Sequence, residues 1–223
     1  MLLTYPLPLS PFHRTTGFNL RPVFAASMQR SAIGYPVSPL DGMGDHWAVE
    51  VDPLAMGTEC GRRLLANLVR APRRRVRVPI SQRGFDIGQP GGSEPVPHAD
   101  GSLFGDGSGY APITPRVDGA EQSGSILRMI GARDGYVVRQ GLFFTLETRS
   151  GSSAHIVTDD AVADSAGRVE VSFWPMLWRD PEDGDHVEMF EPYIEGLVID
   201  QGGQASFGFP AVTTDPFTVE EAG

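Results

Sequence analysis

Lysine is missing from this chain: all 18 basic residues are arginine, a uniformity better explained by a GC-rich coding bias than by function. There is one cysteine, Cys60, so no disulfide can form within the chain. Cys60 falls in a segment with helical spacing, where a buried free thiol is the default reading. No apolar run approaches the roughly 18–20 residues that a membrane-spanning helix needs. The opening Met1-Leu2-Leu3-Thr4-Tyr5-Pro6 has neither a basic segment nor a continuous apolar stretch, so no secretory signal is expected. These absences lead to the expectation of a soluble protein made in a cytoplasm.

Catalytic groupings are also lacking. His155 lies near Asp159 and Asp160, with Ser152 and Ser153 close by, but no glycine-flanked elbow presents either serine. The five histidines, His13, His46, His98, His155 and His186, are dispersed and show no paired helical spacing for zinc. Asp180, Asp183 and Asp185 with Gly184 resemble a calcium loop only faintly, because no glutamate occupies the bidentate position. Gly105, Gly107 and Gly109 have no strand before them and no helix after them, as a phosphate loop requires. The expectation is a protein that is not an enzyme and holds no cofactor or metal.

What the chain does have is turns. It contains 27 glycines and 19 prolines in 223 residues, and they separate short apolar segments. This is the composition of an all-β protein. His46–Val51 alternates, with Trp47, Val49 and Val51 on one face of a strand. Residues 54–70 carry Cys60, Leu64, Leu65, Leu68 and Val69 at helical spacing, and Ala71-Pro72 stops them. Val76, Val78 and Ile80 alternate again as a second strand. Later strands are read at Ser125–Ile130, Tyr136–Arg139, Leu142–Thr148, Ala154–Thr158, Arg168–Phe173, Val187–Phe190 and Tyr193–Ile199.

The resulting expectation is a mainly β chain. Residues 1–85 form a sandwich-like domain with one packed helix, opened by an extended arm over the first 40 residues. Residues 86–120 form a Gly/Pro-rich loop, of a length that marks a boundary or a contact. Residues 121–200 form a small β-barrel or sandwich. Residues 201–223 return to the first domain, with Phe217–Glu220 as an edge strand.

Charge is unevenly distributed. Residues 156–223 hold 15 acids against 2 arginines, whereas residues 1–155 hold 13 acids against 16 arginines. The acidic half disfavours nucleic-acid binding, because phosphate repels carboxylate. Arg62, Arg63, Arg70, Arg73, Arg74, Arg75 and Arg77 cluster within 16 positions. Three readings apply to this cluster: a solvated helix end, a nucleic-acid contact, or a subunit interface. No aromatic residue lies between Glu59 and Gln82 to stack on bases. The interface is therefore favoured, with Arg73, Arg74 and Arg75 facing acidic turns such as Glu182-Asp183 on an adjacent copy.

Several runs in order resemble a known family. The first part is Trp47-Ala48-Val49-Glu50-Val51, Arg63–Leu68 and Val76-Arg77-Val78-Pro79-Ile80. The second is Ile156–Asp160, Ala163–Val171, Trp174–Gly184 and Phe217-Thr218-Val219-Glu220. Together, over about residues 46–80 and 122–220, they resemble the distal tail proteins and related tail-tip (baseplate) components of long-tailed bacteriophages. The resemblance implies a structural virion protein, assembled in the host cytoplasm. It implies a homo-oligomeric, hexameric ring that caps the tail tube and carries hub and receptor-binding proteins, with no enzymatic activity. The alternative is a carbohydrate-binding adhesion module that presents Trp174 and Trp178.

Overall fold

The strands of this chain sort into two sets that interrupt one another in sequence. The computed structural model describes residues 7–8, 15–25, 44–53, 56–57, 59, 62–63, 66–67, 70, 75–82, 102, 105, 115–132, 134–201, 205–207 and 211–222. The chain divides into two compact units, Met1–Pro79 together with Tyr193–Gly223, and Ile80–Pro192.

The first unit contains β1 (Leu7–Pro8), β2 (Thr15–Val23), β3 (His46–Pro53), β4 (Met56–Gly57) and β5 (Val76–Pro79). The second contains β6 (Arg116–Val117), β7 (Ile126–Ile130), β8 (Val137–Val138) and β9 (Phe143–Thr148). It continues with β10 (Gly151–Val157), β11 (Ala161–Val162), β12 (Arg168–Trp174) and β13 (His186–Glu188). The chain then returns to the first unit through β14 (Tyr193–Gln201), β15 (Ala205–Phe207), β16 (Ala211–Thr214) and β17 (Phe217–Glu221).

In the first unit a six-stranded sheet runs β1-β5-β14-β17-β3-β2. Its pairings are antiparallel except β1 with β5. Alternation places Trp47, Val49 and Val51 on one face beside Phe217, Val219, Val198, Ile194, Val76 and Val78, and all nine are buried. Burial of this face is the main favourable term for the sheet, at roughly 1.5–3 kcal/mol per large apolar side chain. The pairing of β5 with β14 runs from Pro79↔Tyr193 to Val76↔Gly196. The second unit is therefore inserted at the tip of a hairpin, between two residues that face each other.

The second unit is a closed barrel in the order β10-β12-β7-β6-β13-β9, with β8 and β11 as a separate two-stranded sheet. Its core comprises Val117, Leu127, Met129, Phe144, Leu146, Val157, Val169, Val171, Phe173 and Val187, each from an inward position of a barrel strand, with further residues from the connecting segments. Phe144 and Phe173 meet edge to face at 5.6 Å between centroids, an arrangement worth about 0.5–1.5 kcal/mol beyond burial. Closure also uses a side chain. Gln82 Nε2 donates to the carbonyls of Phe143 and Met189, and Gln82 Oε1 accepts from Phe143 N–H at 2.7 Å, as a peptide group would.

Two turns expected from sequence have identifiable causes. Asp164 Oδ1 accepts from the N–H groups of Ala166 and Arg168, an Asx-type turn. Gly167 completes it at φ +76°, where any Cβ would lie only 2.5 Å from the Ala132 carbonyl oxygen. β12 ends at Trp174, which joins Pro175 by a cis peptide bond.

The structure corrects several expectations. Tyr193–Gln201 pairs with β5 and β17 in the first unit, not with the barrel assigned to residues 121–200. Phe217–Glu221 lies inside its sheet, between β14 and β3, where its alternating Phe217 and Val219 are covered; it is not an edge strand. Arg116–Val117, within the segment read as loop, is a barrel strand. Thr15–Val23 is a nine-residue strand, longer than the short strands expected of an arm. Met56–Gly57 pairs with β16, so the helical segment starts later than residue 54, consistent with the poor helix propensity of Gly57. Residues 59, 62, 63, 66, 67 and 70 are helical, and Glu59 pairs with Arg63 at 2.8 Å one turn on. Leu64, Leu65 and Leu68, the apolar face read for that helix, lie outside the described residues.

Gly196 is the tightest position in the first sheet, since a Cβ there would overlap the Glu220 carbonyl oxygen. Gly196→Ala is expected to cost about 3 kcal/mol, the upper end for overpacking, because backbone cannot give way. Gly124→Ala has open space but a φ of +83°, so it should cost only the left-handed strain, about 1–2 kcal/mol. Denaturant unfolding of both variants checks this; equal midpoints would contradict the close approach of β14 and β17.

Candidate functional site

The arginine cluster and its proposed acidic partners are the first place to look for a site. Arg73 and Arg74 lie outside the described residues. Arg75 is half-buried, with Nη1 3.4 Å from Glu195 Oε1. Arg77 Nε is 3.2 Å from Glu195 Oε2, and its guanidinium sits over the Tyr193 ring at 4.3 Å. Glu195 itself is only 6% exposed. One buried carboxylate is thus clasped by two guanidiniums, one from β5 and one from the residue just before it, an intrachain use of two cluster members that the sequence reading did not include. A signal was available: Glu195 is the one charge within the apolar stretch of β14, and a buried charge requires a partner.

On the acidic side, Glu182 and Asp183 belong to the turn before β13. Asp183 Oδ1 accepts from Gly119 N–H at 2.8 Å, and Asp185 Oδ2 accepts from Glu182 N–H at 2.9 Å. Glu182 Oε2 lies 3.6 Å from Arg149 Nε, with both side chains largely exposed, a geometry worth at most a few tenths of a kcal/mol. The Asp183 and Asp185 carboxylates hold the turn, and no group of three or more potential metal ligands occurs among the described residues.

Another buried polar residue with reactive chemistry is His155. It has no solvent exposure and packs between Phe144, stacked at 5.2 Å, and Phe173, edge-on at 4.7 Å. Its Nδ1 is 2.8 Å from the Pro175 carbonyl oxygen, so Nδ1 carries the proton and donates. That leaves Nε2 to accept from the Ser153 hydroxyl at 2.8 Å. Burial lowers the pKa of His155 from 6.5 to about 4, against a smaller raising effect of the Pro175 carbonyl. The structure therefore brings Ser153 and His155 together, while Asp160 instead holds Gln140 N–H at 2.7 Å and Asp159 accepts from Thr158 Oγ1. An imidazole of such low basicity is a poor general base at neutral pH. The pair is suited to fastening the barrel rather than activating a nucleophile. Trp174 and Trp178 are both half-buried.

No family model matches the chain, and no curated protein matches it.

The Glu195 clasp yields a stability prediction. Glu195→Ala leaves two half-buried guanidiniums without their shared partner and is expected to cost about 2–3 kcal/mol. Arg75→Ala leaves Arg77 in place and should cost less than half of that. Denaturant unfolding at pH 7 decides the order, and a larger loss for Arg75→Ala than for Glu195→Ala would contradict it.

Proposed function

We propose that this chain is a structural virion protein of a phage tail tip, forming a ring, hexameric by resemblance, between the tail tube and the hub and receptor-binding proteins. The observation that carries this reading is the ordered resemblance of residues 46–80 and 122–220 to distal tail proteins. A second feature agrees with it: among the described residues, Asp159, Asp160, Asp183, Asp185 and His155 are engaged in turns, strand ends or the barrel seam. On this reading the first unit, residues 1–79 with 193–223, is a sandwich-like domain with a packed helix that supplies Arg73 and Arg74 to the ring contacts, while the inserted barrel supplies Glu182 to them and also serves attachment.

A closed ring requires a head-to-tail interface repeated around an axis. Arg73 and Arg74 on one copy and Glu182 on the next are the proposed contacts; Arg75 already has Glu195 as an intrachain partner. Such contacts weaken with salt. Mass measurement and low-resolution imaging of the purified protein, alone and with tail tubes, are expected to give rings that dissociate as salt is raised. Arg73→Glu with Arg74→Glu should abolish them, and Glu182→Arg should restore them in part. A protein that stays monomeric and also fails to join tail tubes would overturn the reading. Rings indifferent to the charge reversal would overturn the assigned contacts alone.

A further inference from the structure

The barrel is not fastened equally all the way round. β9 and β10 pair from Gly151↔Thr148 to Ile156↔Phe143, and β7 and β12 from Ile126↔Ser172 to Ile130↔Arg168. The two-residue β6 pairs with β7 along its whole length and with β13 at Arg116. By contrast, β10 and β12, seven residues each, pair only through Ile156↔Trp174 and Val157↔Phe173, with Thr158 N–H adding one bond to the Ser172 carbonyl. Continuing that register would set His155 opposite Pro175, which has no N–H to donate, so the ladder stops there. Beyond this point side chains reach across instead. His155 Nδ1 donates to the Pro175 carbonyl, and Arg179 Nη1 donates to the Ser150 carbonyl.

Among the described residues, the imidazole at this seam has no charged hydrogen-bond or ring partner. Its partners are one hydroxyl, one carbonyl and two phenyl rings, from β10, the segment after β12, β9 and β12. The other charged residues of these strands, Glu147, Arg168 and Glu170, alternate onto the outer face. Protonating His155 keeps both hydrogen bonds available, since the Ser153 hydroxyl can accept as well as donate. What it adds is an uncompensated charge inside an apolar barrel.

We propose that the seam between the two long strands β10 and β12 is a place where this barrel opens, and that His155 is an acid-sensitive clasp on it. Opening hydrates the imidazole, whereas closing requires it to be neutral. The sign follows from linkage: the closed state has the lowered pKa, so the open state binds more protons and closure weakens as pH falls below 6.5 towards 4. Between pH 7 and pH 5 the open fraction should rise roughly 20-fold, as linkage to that lowered pKa requires. Well below pH 4 no further change from His155 is expected.

Hydrogen exchange of the full chain at pH 7 and pH 5, corrected for intrinsic rates, tests this. Peptides covering residues 151–157 and 173–179 should lose protection by that factor, while those covering 126–130 should not. In His155→Asn, which keeps a donor near the Nδ1 position but cannot titrate, the pH response of the seam should vanish. Uniform loss around the barrel, or an undiminished response in His155→Asn, would overturn the proposal. If the variant does not fold, the proton NMR titration of His155 in the unaltered chain decides. A midpoint near 4 supports the clasp, and one near 6.5 overturns it.

Discussion

The antiparallel register of β5 with β14 is the constraint on which the other arrangements depend. Val76–Pro79 and Tyr193–Gly196 are more than a hundred positions apart, yet they pair as the two arms of one hairpin. That pairing brings the C-terminal strands β14 and β17 into the sheet built by β3, and it sets Glu195 beside Arg77. It also fixes where the barrel begins and ends, since Ile80 N–H donates to the Pro192 carbonyl at 2.7 Å. Hairpin tips tolerate insertion because few contacts are interrupted there. The cost is loop-closure entropy, which grows only slowly with length and is offset by the barrel's own core.

Two different solutions to β-sheet edges follow. The barrel removes its edges by closing, and where the backbone ladder is too short at β10–β12, His155 and Arg179 extend it with side-chain bonds. Where β9 runs beside β13, Gln82 performs a similar task against Phe143 and Met189. The sheet of the first unit stays open, ending at β1 and β2. Its interior strands carry buried acids that accept from main chain or guanidinium: Glu221 from Trp47 N–H at 3.1 Å, and Glu195 from Arg75 and Arg77.

Local patterns were legible in the sequence and long-range partners were not. The alternation of Trp47, Val49 and Val51, the strand at Arg168–Phe173 and the Asp164–Gly167 turn all follow from neighbours a few residues away. Pairing of β14 with β5 and β17 joins segments distant in sequence, and no local pattern specifies it. The helix signal in residues 54–70 masked the short strand at Met56–Gly57, because a two-residue pairing leaves no periodicity. His155 was visible only as a lone histidine near Ser153. Its position between two phenyl rings and opposite Pro175 comes from barrel closure, which a linear reading cannot supply. Glu195 could have been recognised from its apolar surroundings, but the identity of its partners depended on the β5–β14 register.

That register is directly measurable. In an NMR spectrum of the labelled full chain, cross-strand proton contacts should join Val78 with Ile194 and Arg77 with Glu195, and also Leu197 with Glu220. Their presence is the result predicted for a barrel inserted at a hairpin tip. Contacts of Tyr193–Gln201 with barrel strands in place of Val76–Pro79 would contradict it, and with it the division of the chain into an interrupted sheet and an inserted barrel.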